Sequence, residues 1–274
     1  MRKMLYANFC RLWKDKVFWI TAAAMLVFSL ANVFDGMKNA AQPGFSYTLE
    51  HYLFGFLPMF GAFAAAFISL FQGTEYNDGT LRNKLIIGHT RTKLYFANFL
   101  ANCVGSAIIL TIGFLAGMVG VPVIGWLRLD TAVMVSYLIC SFLMAGVWSA
   151  LFTLIVMLAA NKAYGAVFCI LFWLGFTFFG SYFHNALCEP EMNSGGLLTM
   201  EGMTMSEPTP NPDYVGGFKR QVYEFLADFF PSTQSIQMSN LKVSHPYRMM
   251  LCSAGITIAA VLGGVLCFRK KDIR

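Results

Sequence analysis

Charged side chains are scarce in this sequence, 12% of its 274 residues, where a soluble domain carries roughly 25%. With 57% of the residues hydrophobic, too little polar surface remains for a water-soluble globule, and the solvent for much of the chain is lipid. Motifs for bond-making chemistry are missing as well. No G-x-x-x-x-G-K-[ST] phosphate loop occurs; Gly79 to Lys84 has neither the spacing nor the hydroxyl, so the chain by itself does not cradle a nucleotide. Absent too are H-E-x-x-H, G-x-S-x-G and Cys-x-x-Cys, so neither an enzyme activity nor a cofactor of its own is expected. His184, Cys188 and Glu189 lie close in sequence, but three groups fall short of the four ligands of a closed zinc site, and no metal is expected.

Two further absences narrow the class. Cys10 lies before the first apolar run and Cys103, Cys140, Cys169, Cys252 and Cys267 lie in apolar segments, leaving Cys188 alone in a long polar loop, so no disulfide framework can be drawn. No Asp, Glu, Lys or Arg falls deep inside an apolar segment, which argues against an ion-coupled carrier with a buried charge relay. The net charge of +6 does not mark a nucleic-acid binder, because the 20 Lys and Arg gather at segment ends, where they set topology instead.

What is abundant is apolar length and aromatic rings, with 27 Phe, 11 Tyr and 5 Trp. A spanning helix needs about 20 mostly apolar residues. Six stretches qualify: Val17 to Phe34, Tyr52 to Phe71, Phe96 to Val121, Thr131 to Ala160, Ala163 to Phe183 and Met249 to Phe268. All are expected to be helices, since strands would leave backbone amides unsatisfied in lipid. The fold class is therefore an all-α integral membrane protein, a single transmembrane domain over residues 1–274. The fourth stretch is long enough to need tilt or a bend near Gly146. The first lacks the small residues of a signal-peptidase site at its end and is expected to be retained.

Fourteen of the Lys and Arg fall on the side holding the N-terminus, the loop after the second span, Lys162 and the C-terminal tail, and six on the other. The first side is expected to be cytoplasmic, with both termini there. In residues 1–16, Met1, Leu5, Phe9, Leu12 and Trp13 share one side, and Lys3, Arg11 and Lys14 the other. An interfacial helix at the inner lipid surface follows, a plain basic topology signal being the alternative. On the opposite side, residues 184–248 form a long outer loop. Glu189 to Gly217 reads as irregular, and Phe218, Val222, Phe225, Leu226 and Phe229 repeat at helical spacing until Pro231.

The most informative stretch runs from Gln72 to Arg91. Gly79 and Gly88 bracket Thr80 to Ile87, where Leu81 and Leu85 share a face while Arg82 and Asn83 point elsewhere. A short amphipathic helix fits, with Thr80 as its N-cap. Carried on the ends of two spans, it is a lever able to pass movement from a soluble partner into the bundle; an ordinary basic loop is the alternative. Gly113-x-x-x-Gly117 and Ala145-x-x-x-Ser149 are spaced for close helix packing.

Glu75-Tyr76-Asn77-Asp78-Gly79-Thr80-Leu81-Arg82, followed by Gly88-His89-Thr90-Arg91, is similar to the E-x-x-x-G-T-L and later G-x-[ST]-R of the ABC-2 permeases, the membrane subunits of type-2 ABC exporters. The six spans, the N-terminal helix and the closing Phe268-Arg269-Lys270-Lys271-Asp272 resemble that family too. The resemblance implies that Glu75, Gly79, Thr80, Leu81, Arg82, Gly88 and Arg91 form the element that couples to a separate ABC ATPase subunit, with Glu75 and Arg82 or Arg91 as polar contacts. It implies that ATP is bound by that partner, and that a second permease copy or sister chain completes the pore. The cargo expected is a peptide, antibiotic or other amphipathic small molecule, moved out across the plasma membrane of a cell expected to be bacterial. The reading from a different class is a membrane-embedded enzyme or scaffold not driven by ATP.

Overall fold

The computed structural model describes residues 2–40, 48–159, 161–193, 196–199, 202–205 and 208–271, the backbone alone within 194–207. Met1 of the expected N-terminal face, Ala160 at the end of the fourth stretch, and Asp272 and Arg274 of the tail lie outside these residues. The chain runs through α1 (Arg2–Lys14), α2 (Lys16–Asn39), α3 (Leu49–Phe54), α4 (Leu57–Asn77), α5 (Thr80–Ile86) and α6 (Arg91–Gly117). A 3-10 turn (Met118–Gly120), α7 (Val121–Ile124), α8 (Thr131–Ala159) and α9 (Lys162–Cys188) follow. After four short strands come α10 (Gly217–Phe229), α11 (Pro231–Ser239) and α12 (Pro246–Lys270).

Six helical stretches among the described residues are long and apolar enough to cross a bilayer, each holding one of the six predicted apolar runs. Five of the stretches extend past those runs, and α8 covers its run from Thr131 to Ala159. At 1.5 Å per residue the 29 residues of α8 span about 43 Å, beyond the roughly 30 Å hydrocarbon core, so their ends reach headgroup depth. Helix α8 is unbroken through Gly146. The second span is not one rod. Pro58 at the start of α4 lacks an amide hydrogen and its ring crowds the carbonyl four residues back, and the chain turns at Gly55 and Phe56 between α3 and α4.

Helices α4 and α8 form the centre, with Phe60, Phe67, Met144, Trp148 and Phe152 fully buried. Trp148 stacks on Phe152 with centroids 5.1 Å apart. Helix α9 is the most exposed of the spans. Gly113 and Gly117 of α6 serve close packing as expected, Gly113 against the Phe56 ring and Gly117 against Leu53. A second core at the α1 end gathers Met4, Leu81, Leu94, Tyr95, Met157 and Phe268. It brings the first and last helices of the described chain to one face of the bundle.

Helix α1 forms, and its buried side overlaps the predicted one in part, with Leu12 buried and Leu5 and Phe9 half-buried. Met4, Asn8 and Leu12 face inward, Trp13 is exposed, and Arg11, expected to face headgroups, turns into the protein. Tertiary contacts select a stripe one residue round from the most apolar one because Asn8 and Arg11 find polar partners inside.

The loop at the other end is also more ordered than its composition implies. Residues 189–217 contain two antiparallel ribbons, β1 (Met192–Asn193) with β4 (Thr209–Pro210), and β2 (Gly196–Thr199) with β3 (Gly202–Met205). These pair through backbone groups, which side-chain periodicity does not report. Pro231 does end α10, and it also opens α11, a nine-residue helix that periodicity missed because its buried side is polar. Thr233 and Gln234 are fully buried. The Ser232 hydroxyl donates to the Phe176 carbonyl at 2.5 Å, Gln234 Nε2 donates to the Asp228 carbonyl at 2.7 Å, and Ser253 donates to Gln234 Oε1 at 3.0 Å.

Candidate functional site

The residues from Glu75 to Arg91 form a corner whose sequence can be read residue by residue. Helix α4 does not stop at Phe71 but runs to Asn77, so Gln72 to Asn77 are helix rather than loop. Gly79 ends it with φ +64°, a left-handed conformation that favours glycine. Thr80 is not the N-cap expected of it. Gly79 holds that place, and Thr80, the first residue of α5, donates its hydroxyl back to the Glu75 carbonyl at 3.2 Å. Leu81 is the anchor, 1% exposed in the core at the α1 end.

The far end of α5 is a Schellman stop. Gly88, with φ +97°, donates to the Leu85 carbonyl at 3.0 Å, and His89 to the Lys84 carbonyl at 3.2 Å. Two residues on, Thr90 caps α6 by accepting from the Lys93 amide. The spacing Gly88-His89-Thr90-Arg91 thus encodes one helix stop followed by one helix start.

Glu75 lies at the centre of the corner and is 1% exposed. Its side chain turns into the bundle. Its Oε1 receives the Arg11 guanidinium and the Lys84 ammonium, the latter at 2.5 Å, and its Oε2 accepts from Asn98 Nδ2 at 3.0 Å. Lys84 also donates to Asn8 Oδ1 at 3.2 Å, Asn8 donates to Asn98 Oδ1 at 2.7 Å, and Arg11 lies over the Phe71 ring at 4.0 Å. One carboxylate therefore joins α1, α4, α5 and α6. Next to it, Asn102 donates to Gln72 Oε1 at 2.5 Å and Thr153 Oγ1 at 2.8 Å, extending the polar seam to α8.

Arg91 is spent internally as well. Its Nη1 donates to the carbonyls of Phe268 at 3.2 Å, Arg269 at 3.1 Å and Lys271, capping the last turn of α12, where a cation is favoured. Lys271 donates in turn to the Met157 carbonyl at 3.2 Å and to that of Leu158, and burial lowers its pKa below the ordinary lysine value. Replacing Arg91 by Gln is expected to loosen the end of α12 by about 1 kcal/mol, read as faster amide exchange at Phe268 to Lys271 with α5 unaffected.

Of the candidate residues, Arg82 is the charged one left outward. Asn83, Ile86, Ile87 and His89 are exposed beside it. The structure brings Glu75, Gly79, Thr80 and Leu81 together, and directs Arg91 to α12. Asn8, Arg11, Lys84 and Asn98 were not among the coupling residues expected from the sequence; the signal available was the polar Asn8 and Asn98 on otherwise apolar faces.

At the opposite end, His184 Nε2 lies 3.6 Å from Cys188 Sγ, while Glu189 accepts from Asn211 at 3.1 Å. Among the described residues no three His, Cys, Asp or Glu converge as metal ligands.

Six bilayer-length helices, with short helices at both faces, define a multi-pass integral membrane protein. A family model described as ABC-2 family transporter protein matches residues 4–181, from α1 through most of α9, and the chain belongs to that family. It is a membrane permease of the ABC transporter class, a transport subunit rather than a catalytic one. A search of curated proteins gave no match.

Proposed function

We propose that this permease is the membrane half of an ATP-driven exporter, energised by a separate ABC ATPase that grips α5 and binds the ATP. The observation that carries the reading is the two-sidedness of α5. Leu81 is anchored inside, while Ile86 and Ile87 stand 73% and 77% exposed beside Arg82 at the face bearing most of the basic residues. Two adjacent exposed isoleucines at the end of a charged helix fit a protein contact, and ATPase docking there would cover them.

Glu75 and Arg91 enter this proposal as positioning residues. Push on α5 reaches α4 and α6 through the Glu75 carboxylate, α1 through Arg11, and α12 through Arg91. The basic bias supports a cytoplasmic side for this face and both termini, in a cell taken to be bacterial. A second copy or sister permease lines the other half of the path, as the family typically assembles. Phe- and Met-rich walls suit an amphipathic peptide or antibiotic as cargo.

The test is capture of the ATPase subunit. Ile86→Asp with Ile87→Asp is expected to lower co-purification of the ATPase by roughly tenfold or more, a buried apolar pair being exchanged for charge. Arg82→Ala lowers it less, and neither change alters the melting of the permease alone, since these side chains are exposed. Full ATPase capture by the double-Asp protein would overturn Ile86 and Ile87 as the docking contact, whereas absence of any nucleotide-binding partner would favour the reading not driven by ATP.

A further inference from the structure

Helix α10 is amphipathic in an inverted sense. Phe218, Val222, Phe225 and Phe229 are exposed, while Arg220, Glu224 and Asp228 on its other side line a cavity of about 140 Å³ against the ends of α9 and α11 and the approach to α12. A helix in water turns its charges outward. One that shows phenylalanine outward and charge inward meets lipid, which sets the cavity at headgroup depth on the face opposite α5.

Counting Arg248, which pairs with Asp228 from outside the lining, the cavity carries one more cation than anion. Glu224 is taken by Arg220 at 3.3 Å, and buried Asp228 by Arg248 at 2.5 Å, with His245 Nδ1 3.5 Å away. Lys242 lines the same cavity and has no ion-pair partner among the described residues. Ser244 and His184 add polar groups on the same wall. Drug-sized ligands occupy roughly 300–1,000 Å³, so this space suits one compact anionic group.

From these features we infer that the cavity is an anion site that takes the phosphate of an amphiphile's headgroup, with Lys242 as its unpaired cation, Arg220, shared with Glu224, beside it, and the aromatic face of α10 beside the apolar tail. The inference rests on the orientation proposed above for its depth in the outer leaflet, and not on the ATPase contact. A free phosphate presents the same chemistry, and the experiment separates the two sources.

The permease is extracted from bilayers mixing phosphatidylglycerol with phosphatidylcholine, and retained lipid is counted by native mass spectrometry. The expected result is preferential retention of phosphatidylglycerol. Lys242→Gln with Arg220→Gln reduces it by roughly tenfold through loss of charge-assisted hydrogen bonds, while Lys38→Gln, on the same side but outside the cavity, retains it. Displacement of the retained lipid by inorganic phosphate assigns the site to the phosphate alone; retention in its presence assigns it to the lipid.

As a check independent of folding defects, exposed Cys188 in the same wall is labelled from outside intact cells. An anionic methanethiosulfonate should gain on a cationic one in wild type relative to Lys242→Gln. No labelling from outside overturns the orientation. Labelling with no charge preference, or lipid loss equal in Lys38→Gln, overturns the anion site.

Discussion

Glu75→Gln is expected to cost the permease both stability and coupling. The carboxylate is fully buried, while Arg11 and Lys84 keep 30% and 22% of their side-chain exposure. Removing one partner of a fully buried pair costs about 3–5 kcal/mol because the other charge is left unpaired. Here two cations share one anion, and partial solvent access lets each recover some hydration, so about 2–3 kcal/mol is expected.

Glutamine keeps the shape and an acceptor for Asn98, which separates charge from packing. If the carboxylate carries motion from α5 to α4 and α6, substrate-stimulated ATP hydrolysis of the assembled transporter should fall about 5- to 150-fold, the usual span of a coupling energy. Basal hydrolysis by the ATPase should not change. Arg11→Gln in the Glu75→Gln background should restore part of the melting temperature, since it removes an orphaned cation, and the double-mutant cycle measures the pair directly. Unchanged coupled hydrolysis and unchanged melting in Glu75→Gln would end the positioning role assigned to this residue.

Gly73→Ala should be the most damaging small-to-slightly-larger change near this corner. A methyl at Gly73 would sit 2.9 Å from the Lys162 α-carbon and 3.1 Å from its β-carbon. The obstacle is backbone, and it cannot swing away. Asn161 fixes it by accepting from the Ala163 amide at 2.8 Å, and Lys162 donates to Thr74 Oγ1 at 3.2 Å. Helix α9 must therefore shift bodily, at a cost of about 1–3 kcal/mol.

Gly175 offers the control. It lies within α9, where an added methyl meets nothing within 4 Å, so Gly175→Ala should be neutral or stabilising by up to about 1 kcal/mol through helix propensity. Comparing the melting of the two variants in one detergent tests the claim. Equal melting would mean that the approach of α4 to α9 is not tight.

Such contacts mark the boundary of what a linear reading reaches. The six spans were legible because each is a continuous apolar run, and lipid admits few other folds for such a run. The two glycines flanking α5 were legible for a local reason too, since Gly79 and Gly88 act through their own φ angles. Thr80 was misplaced by one position because the left-handed turn at Gly79 takes the cap itself. Helix α11 was missed because polar burial leaves no apolar period to detect.

Glu75 shows the same limit at the functional corner. Its position in a motif was visible, but not its direction, because its partners Arg11 and Asn98 come from 64 residues before and 23 residues after it. By itself the sequence determined that the chain crosses a membrane six times and where a helix must break to form α5. Only the tertiary structure decided which of that corner's charges are turned inward as struts and which, with Arg82, Ile86 and Ile87, are left outside. Backbone propensity and hydrophobicity act over a few neighbouring residues, whereas the pairing of a buried charge is settled by whichever helices the fold brings beside it.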